Sequence, residues 1–110
     1  MRVAIPIWNG RVSPVFDVSR RLRVFDIAAN SAAIEAMRTV EAERPTAIVT
    51  GLGVDLLICS AISLAEESAL RKSHVEVISG ICGPVEEIAA ALAAGDVALT
   101  RFRAPGCGSR

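Results

Sequence analysis

Between residues 55 and 95 the chain twice sets a short apolar run ahead of a helical pattern. Asp55 to Cys59 carries Leu-Leu-Ile, and Ser63-x-x-Glu66 then opens a helix to about Ser73. That spacing is a capping box, in which each side chain satisfies an orphan backbone donor at the helix start. Ala65 and Ala69 are expected on the inner face of this helix. Val75 to Ser79 is the second run, and Pro84 suits a first helical position. Val85, Ile88, Ala89 and Leu92 then follow the i, i+3, i+4, i+7 pattern, and Gly95 ends the helix. Strand–helix–strand units demand parallel pairing and right-handed crossovers. The fold class is therefore α/β.

The first half supplies more strands. Val3 to Trp8 is apolar at nearly every residue, the mark of a strand buried on both faces. Asn9-Gly10 ends it as a turn. Leu22 to Ile27 reads as a second strand, and Ala29-Asn30-Ser31 is turn chemistry. Residues 33–40 favour helix by propensity, but the short turn before them predicts a hairpin partner. Pro45 opens a short helix to about Leu52, stopped by Gly51 and Gly53. The first, fourth and fifth strands are expected to run the same way.

At 110 residues, 52% hydrophobic and 22% charged, the chain is long and apolar enough for one folded domain. Residues 1–99 are read as that domain. Residues 100–110, basic and rich in Gly and Pro, are read as a mobile tail. A net charge of zero argues against a nucleic-acid partner, whose binding draws on a basic face. No apolar run approaches the roughly 20 residues of a membrane helix, and Pro6, Asn9 and Gly10 break the N-terminus too early for a signal peptide. The expected location is the cytoplasm, where three cysteines stay reduced.

Those cysteines carry the chemistry. Ligands of open α/β sheets bind beyond the carboxyl ends of parallel strands. Cys59 lies at one such end, Cys82 just past the next, and Asn9 just past the first. Cys82 stands in Ser79-Gly80-Ile81-Cys82-Gly83-Pro84, ahead of a helix whose positive dipole end favours thiolate. Thiolate binds soft metals and iron–sulfur clusters. Gly80 and Gly83 would let backbone approach a bulky ligand and offer amide donors to an anion. Cys107 could reach the same edge. Asn9 and Ser13 complete the candidate set.

Plainer readings stand beside these. Cys59 suits core filling, since free cysteine is among the most buried residue types. Gly80, Gly83, Asn9 and Ser13 suit simple turns. Arg11, Arg101 and Arg103 read as solvated surface that an anion would welcome. Trp8 reads as core rather than a stacking platform, and His74, at the amino end of its strand, as surface. No cysteine pair has the C-x-x-C spacing of a zinc site.

The segments AIPIWNGRVSPVFDVSRRLRVFDI, GVDLLICSAIS and VEVISGICGPVEEIAAALAAG resemble the dinitrogenase iron–molybdenum cofactor biosynthesis family over nearly the whole chain, to about Gly95. The resemblance implies a ribonuclease-H-like fold, a mixed five-stranded sheet of order 3-2-1-4-5 with helices on both faces. For the family's carriers it implies non-catalytic binding of an iron–sulfur-type metallocluster. Those carriers hold a His-Phe-Gly motif after the first strand, and Val15-Phe16-Asp17 stands there in this chain. The cysteines would then take over ligation.

The expected function is a carrier or scaffold for an iron–sulfur cluster or an iron–molybdenum cofactor precursor. Metallocluster donor and acceptor proteins would be its partners, and a homodimer could complete the ligand shell. Cys82 would be the primary ligand, with Cys59 and Cys107 beside it. The rival is a metal-free regulatory or protein-interaction module. A weaker third reading is a phosphate-bearing small molecule at the helix start near Pro84. Enzyme chemistry is not expected: Asp17, Asp26 and Asp55 do not form the converging carboxylates of two-metal hydrolysis, and the lone His74 leaves no Ser-His-Asp set.

Overall fold

The computed structural model describes residues 1–28 and 33–103. The strands are β1 (Arg2–Trp8), β2 (Arg11–Val12), β3 (Arg21–Ile27), β4 (Ile34–Glu41), β5 (Leu56–Ile58) and β6 (Glu76–Ile78). The helices are α1 (Pro45–Gly51), α2 (Leu64–Lys72) and α3 (Val85–Ala93), with 3-10 turns at Phe16–Val18 and Thr100–Phe102. The sheet order is β4-β3-β1-β5-β6, with β2 hooked onto the end of β1. β1 is antiparallel to β3 and parallel to β5, which is parallel to β6. The fold is mixed α/β, and β1, β5 and β6 share one direction.

Two cores flank the sheet. Val3, Ile5, Phe25 and Ile58 pack with Ile88 and Leu92 of α3. On the other face Ala4, Leu22 and Leu57 pack with Phe16, Val49 of α1 and Leu70 of α2. The four apolar positions read from the α3 pattern, Val85, Ile88, Ala89 and Leu92, are all buried.

Residues 34–41 show how pairing overrides propensity. Every residue of β4 but Glu35, which falls at a register shift beside Asp26, faces a β3 partner, yet most of its side chains are exposed. An edge strand with little buried surface has no need of a β-branched composition. α1 is the converse case. Its Thr-Ala-Ile-Val-Thr run is β-like, but Pro45 starts a helix and Val49 buries it.

Several local expectations need correction. Trp8 is 65% exposed, because the strand has passed beyond the core at its last residue. Ala65 and Ala69 are exposed too; α2 turns Leu70 inward instead, with Glu66 and Glu67 half-buried. The capping box forms by half. Ser63 Oγ accepts from the Glu66 amide at 3.3 Å, but the Ser63 amide donates to Asp17 at 3.1 Å. Glu66 accepts from Thr46 of α1 instead. Residues 100–103, assigned to the tail from sequence, pack on the body: Phe102 is buried and Arg103 bridges Ile81. Residues 104–110, including Cys107, lie outside the described residues, as does the 29–31 turn.

Cys59 is fully buried. Successive strand residues alternate faces, so Cys59 follows Leu57 into the α1/α2 core. It does not open onto the sheet edge, which removes the access that a metal ligand needs. Burial, and then the nearby Glu67 and Asp17 charges, push its thiol from 9.0 up to about 12.

Two predictions follow from the packing. Leu70→Ala, which empties the only fully buried position of α2, is expected to cost about 3 kcal/mol in denaturant unfolding. Leu64→Ala, at a position 84% exposed, should stay within about 0.5 kcal/mol. For Cys59, folding holds the proton that the unfolded chain releases above pH 9.0, so its contribution is complete below that value. It is lost as pH rises toward about 12. Unfolding free energies across this window should fall less steeply for Cys59→Ala than for the wild type.

Candidate functional site

The carboxyl ends of β1, β5 and β6 lie side by side, so their loops meet at one edge. Trp8 and Arg11 pair across a two-residue hairpin, Asn9-Gly10. Both loop residues have positive φ, 52° and 75°, as a type I′ turn requires. The Asn9-Gly10 turn reading therefore holds.

The loop after β6 carries Cys82. It is gripped from both sides, since Arg11 bridges Pro84 and Arg103 bridges Ile81. Several of its amides are spent on the fold. Gly80 donates to Ser60, Ile81 to Cys59, Cys82 to Phe102 at 2.7 Å, and Val85 to Gly10. The donors expected for an anion at Gly80 are thus already used. Gly83 answers to a different need. Its φ is +127°, and a Cβ there would stand 3.3 Å from the Phe102 ring. Glycine at 83 lets Phe102 close over the turn.

What stays open is a thiol among cations. Cys82 is half-buried, with Sγ 3.7 Å from Ser60 Oγ. It lines a groove of about 390 Å³ with Arg11, Gly83, Pro84, Glu87, Arg101, Phe102 and Arg103. Arg101 lies over the Phe102 ring, 4.7 Å from its centroid. Arg103 donates to the Ser79 and Ala98 carbonyls, each at 3.4 Å. Three guanidinium groups against one carboxylate make the groove a place for an anion.

The other candidates separate from it. Asn9 and Ser13 line a second cleft, on the far side of the hairpin. Cys59 belongs to the core. Among the described residues, no three His, Cys, Asp or Glu side chains converge as a metal site. Val15, at the position of the family's histidine, is exposed, while Phe16 is buried and Asp17 caps α2. At the opposite edge Arg2 gathers the other two acids. Its amide donates to Asp55 at 2.8 Å and its guanidinium to Asp26 at 2.9 Å. His74 is exposed at the amino side of β6, as expected. Ser60, Glu87 and Phe102 escaped the sequence reading. A lone phenylalanine between two arginines in a small-residue tail was the available sign for Phe102.

Solved structures show the same fold. The protein PH0822 superposes with a TM-score of 0.79 at 22% identity, over 86% of this chain and 91% of its own. A Methanocaldococcus jannaschii protein, provisionally described as a dinitrogenase, gives 0.74 at 18% identity over 87% and 90%. The apo form of the orange protein from Desulfovibrio gigas gives 0.68 at 17% identity over 86% and 88%. Identities this low speak for the fold alone. No curated protein matches the chain. The family model described as dinitrogenase iron-molybdenum cofactor matches residues 1–95, and the chain belongs to that family.

Proposed function

We propose that this protein is a non-catalytic carrier or scaffold for an anionic metallocluster, of the iron–sulfur or iron–molybdenum cofactor type, anchored by Cys82. The observation that carries this reading is the half-buried Cys82 thiol in a groove with Arg11, Arg101 and Arg103. A metal draws the proton off a coordinating thiol, and the guanidinium groups offset the negative charge that results. The cluster is cargo rather than a resident cofactor. One protein thiolate gives a hold that a receiving protein can replace, whereas a full ligand set would retain the cluster. Cys107 is the second thiol in this reading, and a second copy of the chain is another source of ligands. Donor and acceptor proteins in the cytoplasm are its partners. The sheet order, with β2 left out of the count, favours the ribonuclease-H-like assignment.

A metal-free interaction module is the second reading. The burial of Cys59 favours it, because Cys59 and Cys82 are then not available as a pair of ligands at this edge.

Anaerobic reconstitution with iron and sulfide separates the two. The wild type should retain stoichiometric iron with visible charge-transfer bands, and Cys82→Ala should lose at least nine-tenths of both. Cys59→Ala should retain them. A preassembled iron–molybdenum cofactor offered to the same variants should follow the same order. Failure of the wild type to hold either cluster would leave the interaction module. Alkylation checks the geometry independently: Cys82 should react in the native protein, and Cys59 only after unfolding.

A further inference from the structure

A larger concavity than the Cys82 groove is a cleft of about 710 Å³ lined by the β1–β2 hairpin and β3. Trp8, Asn9, Arg20, Arg21, Arg23 and Thr39 are among its lining residues, and no Asp or Glu lines it. Its volume falls within the roughly 300–1,000 Å³ of small-molecule sites.

Two features need an explanation. Trp8 stands 65% exposed at the cleft, where a large apolar ring gains nothing from burial. Arg23 carries the one buried side-chain polar atom without a partner among the described residues, its Nε. Its Nη1 meets Glu86 at 2.6 Å and the Met37 sulfur at 3.1 Å. An unmet buried guanidinium donor is costly. Arg21 pairs with Glu41 at 3.2 Å, while Arg20 makes none of the ion pairs among the described residues. The cleft thus sets one flat aromatic face beside three cations, two of them held in place by carboxylates that lie outside the lining.

We propose that this cleft binds a nucleoside phosphate, its base stacked on Trp8 and its phosphates held by Arg20, Arg21 and Arg23. Base–aromatic stacking tolerates any base, since every base has a π-face. Guanidinium groups match phosphate oxygens in paired hydrogen bonds. Asn9 and Thr39 add polar groups for the sugar or the base edge. A single nucleotide fits the shape better than a strand does, because the cations are gathered in one cleft on a chain of zero net charge. This goes beyond the carrier reading, and the two sites share no lining residue. Each can therefore fail without the other.

Trp8 is the only tryptophan in the chain, so its fluorescence reports on this cleft alone. ATP titrated into the full-length protein should change that fluorescence saturably at submillimolar concentration. Arg20→Ala should weaken binding about tenfold or more, since a charged hydrogen bond is worth about 1.5–3 kcal/mol. Trp8→Ala, followed by calorimetry, should weaken it similarly, and Cys82→Ala should bind ATP as the wild type does. No saturable change with ATP would overturn the proposal, whatever the variants do. So would unchanged affinity in Arg20→Ala, or equal affinity for inorganic tripolyphosphate, which would leave Trp8 without a role. Tighter binding of a single-stranded oligonucleotide than of ATP would overturn it in favour of a strand.

Discussion

The structure hangs on β1. Val3, Ala4 and Ile5 have no exposed surface, and they feed both cores in alternation. Burial on both faces forces neighbours on both sides, because a strand in the middle of a fold cannot leave its amides and carbonyls unpaired. β3 meets one side antiparallel and β5 the other parallel. That mixed pairing decides where the loops gather. The hairpin after β1 and the loops after β5 and β6 must emerge at the same edge.

At that edge, closing the chain and presenting chemistry compete for the same groups. The turn that holds Cys82 uses the Gly80, Ile81 and Cys82 amides to fix itself against Ser60, Cys59 and Phe102. What it leaves is side-chain chemistry: a thiol beside the Ser60 hydroxyl, three arginines and one carboxylate. Phe102 sets the limit of this arrangement, since its ring occupies the space beside Gly83. The hairpin then divides the edge. Cys82 falls to one side, Trp8 and the β3 arginines to the other. The family to which the chain belongs is described by the iron–molybdenum cofactor, and the carrier proposal rests on the Cys82 side.

Much of this was legible from residues. The α3 periodicity named its buried face correctly, and Asn9-Gly10 marked a turn, though not the short strand that follows it. Parallel β1, β5 and β6 followed from strand–helix alternation. The failures share a cause. Ala65 and Ala69, expected on the inner face, are exposed, because α2 sits where Leu70 can reach the core. Glu66 had the right spacing for a capping box, yet Asp17, far away in sequence, supplied the contact. Cys59 and Cys82 looked alike as strand-end cysteines. They differ because Cys59 follows the face of Leu57 into the core, whereas Cys82 stands in the loop after β6.

Periodicity, turn chemistry and spacing are local, and the sequence by itself determined what depends on them. It set the α/β class, the order of elements, the strand directions and the candidate cysteines. The partner that satisfies a given donor, the face a strand-end residue takes and the contact of a distal aromatic depend on segments that meet only after folding. Tertiary structure alone therefore decided that Cys59 is core, that Phe102 closes the Cys82 turn, and that Trp8 stands in the open beside Arg20, Arg21 and Arg23.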